Sequence, residues 1–261
     1  GSEYKGLNWL NLSRKKFHTI KNIGSTQNAL STSFVTAIHS SQPNSVFVAT
    51  DGGGIDKLSF DPLSGMFLNI EHWNRNLSGK DKQVISLYQD KNGSVWFGSA
   101  QNSINIINSI TQQLKTLSIF GYVFTIVEDS YGYIWLGTWG QGLYRYNKAK
   151  ATLEHYKLNL SDEFSTEGDI IFNLFEDSEK KLWIGTKGNG LHRLLNPSAA
   201  PDKARYKHYY HDKNKKKSLA HNDVYVVTED KEKNIWIGTV AGLNKLSLKA
   251  LNDNVEPEFT I

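Results

Sequence analysis

Apolar and polar residues alternate over short stretches of this chain, as in Val123-Phe124-Thr125-Ile126-Val127, and nowhere is a helical period sustained. Alternation of this kind predicts half-buried β-strands. The stretches also recur in a fixed order. Ile126 to Thr138, closing on Trp135-Leu136-Gly137-Thr138 and followed by Gly142-Leu143-Tyr144-Arg145, is the clearest copy. Leu174 to Thr186 with Gly190-Leu191-His192-Arg193 is a second, and Val227 to Thr239 with Gly242-Leu243-Asn244-Lys245 a third. Leu87 to Ser99, followed by Ser103-Ile104-Asn105-Ile106, is a fourth. The weakest runs from Ile38 to Thr50, where Phe47 replaces the tryptophan and Gly54-Ile55-Asp56-Lys57 follows.

The aligned aromatics Phe47, Trp96, Trp135, Trp183 and Trp236 recur at roughly 40–50 residues, room for four short strands and their turns. The expected fold is therefore all-β, a β-propeller segment of four-stranded antiparallel blades. Within each unit the first strand ends in an acid that opens a turn. Asp90-Lys91-Asn92-Gly93 and Asp129-Ser130-Tyr131-Gly132 put Asp first and Gly fourth, the chemistry of a type I turn whose carboxylate accepts from nearby amides. Lys180 and Lys233 replace that glycine in two copies, which predicts looser turns there. The tryptophan of the second strand should be buried between neighbouring blades, and the glycine after it should permit close backbone approach. His39-Ser40-Ser41-Gln42-Pro43 lacks both acid and glycine, so the first repeat should turn differently.

Five complete repeats follow an N-terminal half blade that opens at Gly6-Leu7-Asn8-Trp9-Leu10. The expected bounds are 3–34 for the half blade, then about 35–83, 84–122, 123–169, 170–223 and 224–261. Pro257 to Ile261 reads as a fourth strand, Gly1-Ser2 as a cloning remnant, and the whole as a segment of a longer protein.

Composition narrows the function. Aromatics at 12% and hydrophobics at 39% supply a core, which excludes a disordered chain. There is no cysteine, so disulfides and thiolate metal sites are excluded. The net charge of +4 is spread out, so no nucleic-acid partner is expected of this segment, nor any membrane contact. The one dense run, Lys213-Asn214-Lys215-Lys216-Lys217, is either a solvated loop or a contact for a sulfated or carboxylated ligand. His208 and His211 fall on opposite faces of a strand, so no metal site or cofactor is expected. The acids recur as turn-forming Glu-Asp pairs, where a catalytic pair would occur once.

The string E-D-x-x-G-x-ψ-W-ψ-G-T-x-x-x-G-L, with ψ apolar, resembles the two-component regulator propeller repeat from Gly6 to Leu246. Asn28-Ala29-Leu30-Ser31 and Ser218-Leu219-Ala220-His221-Asn222-Asp223-Val224 echo the family's approach to the first strand. The resemblance implies the periplasmic sensor region of a hybrid two-component system, most often from Bacteroidetes. There, tandem propellers precede an immunoglobulin-like module, a membrane span, a histidine kinase and a DNA-binding response regulator. It implies ligand sensing, usually of an oligosaccharide, with the remaining propeller and signalling domains as partners. No phosphoacceptor, nucleotide-binding or receiver motif occurs in this chain.

Antiparallel blades put the links between second and third strands on one face, with the crossovers between blades. Those links hold Asp51, Gln101, Asn102, Trp139, Gln141, Lys187 and Asn189, and their first position varies while the framework repeats. Trp139 is the leading ligand candidate, because an indole stacks on the apolar face of a pyranose and its N–H donates to a hydroxyl. The alternative is that it packs on a neighbouring loop. Trp73, Tyr209, Lys215 and Lys216, at strand ends and in the crossover, are secondary candidates. Two other classes compete with a glycan sensor. One is an interaction scaffold, including a homodimer through an open strand edge. The other is a lyase like the streptogramin-inactivating propellers, for which His192 and His221 sit poorly because both belong to the repeat framework.

Overall fold

The structure, a computed structural model, describes residues 7–11, 16–21, 28–73, 76–158, 170–248, 251 and 258–260. Gly1-Ser2, Pro257 and Ile261, about which the sequence raised expectations, lie outside them. Two compact units divide the chain, residues 1–123 and 124–261.

In the first unit, β1 (Leu7–Asn11) and β2 (Lys16–Ile20) form an antiparallel pair. One four-stranded sheet follows from β3 (Val35–Gln42), β4 (Ser45–Thr50), β5 (Gly54–Phe60) and β6 (Phe67–His72). A second is built by β7 (Val84–Gln89), β8 (Val95–Ser99), β9 (Ser103–Ile107) and β10 (Leu114–Ser118). The second unit takes the sheet of β11 (Tyr122–Glu128), β12 (Tyr133–Trp139), β13 (Leu143–Asn147) and β14 (Thr152–Tyr156). Next come β15 (Ile171–Glu176), β16 (Leu182–Thr186), β17 (Leu191–Leu194) and β18 (Tyr206–Tyr209). The last sheet has β19 (Val224–Glu229), β20 (Asn234–Thr239) and β21 (Gly242–Ser247), with Thr260 bridging Lys245 where a fourth strand begins. Sequence neighbours are sheet neighbours throughout, so each sheet is a meander, the blade of a β-propeller.

In three of the sheets the aromatic of the second strand faces the following sheet of its unit. Phe47, Ala49, Ile55 and Trp73 pack on Val84, Leu87, Val95 and Phe97. Trp135, Leu143 and Tyr156 pack on Ile171, Leu174 and Ile184, and Trp183, Leu191 and Tyr209 on Val224, Val227 and Ile237. The glycine beside the tryptophan is what lets the sheets close. A Cβ on Gly137 would stand 2.5 Å from Thr125 Cγ2 and 2.6 Å from Ile171 Cγ2.

The repeated acid does more than shape its turn. Asp129 Oδ1 accepts from the amides of Tyr131 and Tyr133, and Oδ2 accepts from Trp135 Nε1 at 2.7 Å. Asp90 with Trp96 (3.0 Å), Asp177 with Trp183 (2.8 Å) and Asp230 with Trp236 (2.7 Å) repeat the arrangement. A buried indole N–H must find an acceptor, and an Asp six residues earlier supplies one. A third-strand cation completes three of these knots: Arg145, Arg193 and Lys245 lie 5.5, 5.0 and 5.2 Å from the Trp135, Trp183 and Trp236 ring centroids, whereas Trp96 pairs in register with Ile106. Arg193 also donates to Asp177 at 2.6 Å. Burial raises the Asp129 carboxyl above its usual range in spite of these donors. At half-buried Asp230 the desolvation penalty, though the largest single influence, is outweighed by donors from Asn234, Trp236 and Glu232. Together they hold it down to about 2.

The turns carrying Lys180 and Lys233 are not looser than the glycine turns. Both lysines take the left-handed conformation, φ 60° and 64°, and close onto Asp177 O and Asp230 O at 2.9 and 3.0 Å, as Gly132 does onto Asp129 O at 3.1 Å. The carboxylate fixes the turn and the side chain bears the strain. In the first repeat the turn is indeed different: Ser40 Oγ donates to Gln42 O and Ser45 O in place of the aspartate.

One buried third-strand position of each four- or three-stranded sheet varies in type: Asp56, Asn105, Tyr144, His192 and Asn244. Asp56 accepts from Ser31 N, Ser31 Oγ and His72 Nδ1, the last at 2.7 Å. Asn105 accepts from Thr116 Oγ1, Tyr144 stacks on His155 at 4.4 Å, and His192 and His208 share a proton between their Nδ1 atoms at 2.6 Å. These partners are in direct cross-strand register.

Candidate functional site

The loop-bearing side of the second unit gathers aromatic rings at repeat positions. Phe124 on β11, Phe172 on β15 and Tyr225 on β19 each follow the buried apolar residue that anchors its first strand, namely Val123, Ile171 and Val224. Alternation turns these second residues away from that anchor. Trp139, at the end of β12, lies over two of them: its ring is 5.1 Å from Phe124 and 6.1 Å from Phe172. Phe172 in turn stacks on Tyr225 at 4.8 Å and 26°. Trp139 is 42% exposed and Tyr225 52% exposed.

Lys187 adds a charge to this row. It opens the β16–β17 link, and its Nζ stands 5.8 Å from the Trp139 ring centroid. The link is held by Lys187 N donating to Ile170 O and by Gly188 N donating to Asp223 Oδ1 at 2.6 Å. Four rings with a cation over one of them form an exposed apolar platform with a polar rim. Such a surface binds a ligand that has flat apolar faces and peripheral oxygens.

Of the residues expected from sequence, Trp139 and Lys187 come together on this platform. Neighbouring Gln141 uses its carbonyl to accept from His155 Nε2 at 2.8 Å. Asn189 is buried. In the first unit, Gln101 donates to Asp81 Oδ1 at 3.0 Å, while Asn102 and Asp51 are exposed at their links. Trp73 and Tyr209 are both core: Trp73 meets Phe47 edge-on at 4.9 Å, and Tyr209 stacks on Trp183 at 5.6 Å. Each caps the aromatic of its own sheet, a packing role that strand-end position did not reveal. Lys215 and Lys216 are exposed in a loop closed by Lys215 N on Asp212 O.

Phe124, Phe172 and Tyr225 were not singled out by the sequence reading. The signal was available: the residue after the first-strand anchor is aromatic in three consecutive repeats, but Thr36 and Ile85 in the two before them. Among the described residues no three His, Asp or Glu side chains cluster as a metal would require, and no helix is long and apolar enough to cross a membrane. His192 is engaged with His208, and His221 Nδ1 accepts from Asp223 N at 2.9 Å.

Four-stranded meanders of this kind define the chain as a β-propeller segment. The chain matches the two-component regulator propeller repeat over residues 78–101, 118–140, 166–188 and 218–241. Four of its sheets thus carry that family's repeat. Over 128 residues it is 29% identical to Histidine kinase P4 of Formosa agariphila, a match spanning 45% of this chain and 9% of that protein. Its fold is shared with the extracellular domain of a putative hybrid two-component system from B. thetaiotaomicron (TM-score 0.72, 24% identity, 94% of this chain and 31% of that one). PorZ, a type-IX secretion component of Porphyromonas gingivalis, is similar as well (TM-score 0.63, 16% identity, 93% and 36%). The chain therefore spans under a tenth of the curated relative and about a third of each solved neighbour.

Proposed function

We propose that this chain is an extracytoplasmic, non-catalytic sensor segment of a hybrid two-component system, and that it recognises an oligosaccharide on the Trp139 platform. A membrane span and a kinase elsewhere in the parent protein would relay the signal. The repeat family and the fold shared with a hybrid-system extracellular domain support the sensor role. The observation that carries the ligand class is the row Trp139, Phe124, Phe172 and Tyr225, whose exposed ring faces match the apolar faces of pyranose rings. Lys187 beside Trp139 favours a sugar bearing a carboxylate or sulfate.

Isothermal titration calorimetry against neutral, uronic and sulfated oligosaccharides tests this. Saturable binding that weakens at least about tenfold in Trp139→Ala is expected. For an acidic sugar, affinity should also fall with salt and in Lys187→Gln. No binding across the panel, or binding indifferent to Trp139→Ala, refutes the assignment.

A further inference from the structure

The first unit holds a cleft of about 860 Å³ between the end of β6 and the β9–β10 hairpin. Its polar lining comes from Glu71, His72, Asn76, Gln112 and Gln113, and its apolar floor includes Trp73. Asn76 Nδ2 donates to Gln112 O at 3.0 Å, which ties the two walls together.

His72 is the unusual member. Its Nδ1 donates to Oδ1 of Asp56, a fully buried carboxylate that also accepts from Ser31 N and Ser31 Oγ. An ionised acid at Nδ1 fixes the tautomer, so Nε2, on the far side of the ring, is an acceptor. Among the described residues nothing donates to it. The equivalent histidines differ: His155 gives its Nε2 proton to Gln141 O, and His208 is joined to His192. His72 alone of the three lines an open cleft.

We propose that this cleft is a second ligand site, separate from the Trp139 platform, that takes a neutral saccharide unit. His72 Nε2 and the Glu71 carboxylate accept from sugar hydroxyls, the Gln113 amide and Asn76 Oδ1 complete the polar contacts, and the Ile70 and Trp73 edge meets the C–H face. Among the described lining residues the one carboxylate is Glu71, which accepts from Trp73 Nε1 at 3.3 Å and pairs with Lys57 at 3.9 Å. With that carboxylate already paired, the described lining offers an anionic sugar no counter-charge, and a neutral one needs none. Mixed donors and acceptors over an apolar floor suit a polyol.

Long-range ¹H–¹⁵N NMR on the 261-residue chain, reading the His72 ring nitrogens and the Trp73 indole, tests the site against cellohexaose, xylohexaose and mannohexaose. At least one should shift both signals saturably. His72→Ala should weaken that binding about tenfold, His72→Gln should retain part of it, and Trp139→Ala should leave it unchanged. Unmoved signals with all three sugars overturn the proposal. So does loss of the shift in Trp139→Ala, which would make it an echo of the platform. Equal displacement by tetragalacturonate or spermine overturns the neutral class. Because His72 is partly exposed, its variants should fold, which circular dichroism checks.

Discussion

Replacing Trp183 by Phe isolates the indole–carboxylate bond at the centre of a blade. Trp183 is fully buried, and its Nε1 donates to Asp177 Oδ2 at 2.8 Å. Asp177 keeps Arg193 at 2.6 Å and the amides of Glu179 and Lys181, so the variant removes one donor from a charge that stays neutralised. A hydrogen bond to a charged acceptor is worth about 1.5–3 kcal/mol. The smaller ring leaves a gap against Tyr209 and Leu191 that adds about 1 kcal/mol. The expected loss is therefore about 3 kcal/mol. Trp236 makes the same bond to Asp230 at 2.7 Å but is half-buried, and water can replace the lost donor there. Trp236→Phe should cost under about 1 kcal/mol. Urea unfolding followed by circular dichroism gives both values, with the m-value checked for two-state behaviour. Equal losses at the two sites would refute the claim that burial of the Asp–Trp bond sets its worth.

Acid should weaken the second unit. Burial first, and then neighbouring His208, push His192 down to about 3, whereas an unfolded histidine titrates near 6.5. Between those values the unfolded chain binds the extra proton, so stability is complete above pH ~6.5 and falls by up to about 1.4 kcal/mol per pH unit below it. Thermal unfolding from pH 7.5 to 4.5 should show that slope and lose it in His192→Gln; a flat wild-type profile would contradict it. Gly137→Ala should destabilise by about 1–3 kcal/mol through its clash with Thr125 and Ile171. Gly140→Ala, with φ 86° and no atom within 4 Å of a new Cβ, should cost about 1–2 kcal/mol from backbone strain alone. In differential scanning fluorimetry, a larger effect at Gly140 would reverse that argument. Phe172→Ala should weaken oligosaccharide binding less than Trp139→Ala does, because Trp139 is the more exposed ring; calorimetry with the best ligand decides.

The repeat was legible because its determinants are local. Asp, the turn, and a tryptophan six residues on lie within one hairpin, so their spacing carries the geometry. The Lys180 and Lys233 turns were misjudged because the glycine was taken as the cause, while the carboxylate holds the loop whichever residue bears the positive φ. The candidate site was legible in half. Trp139 stood out as a departure at a variable position. Phe124, Phe172 and Tyr225 did not, since an aromatic on a strand is ordinary until neighbouring repeats are stacked. Trp73 and Tyr209 looked like candidates at strand ends, but packing against Phe47 and Trp183 decides their place, and that depends on partners some 26 residues away in sequence.

The unlike buried pairs of the third and fourth strands amount to addresses. A chain of near-copies faces a sorting problem that a chain of unlike elements does not: any fourth strand can, by backbone alone, close any sheet. Were the β10 segment to close on β5, Thr116 would replace His72 opposite Asp56 and could not reproduce its hydrogen bond to the imidazole. Were β6 to close on β9, an imidazole would stand where Asn105 receives the Thr116 hydroxyl. Each exchange still offers a donor, but a short hydroxyl in place of a long imidazole or the reverse, so the native contacts at Asp56 and Asn105 are not reproduced. Sameness in the tryptophan knot makes four of the sheets alike, and difference one strand further out tells them apart.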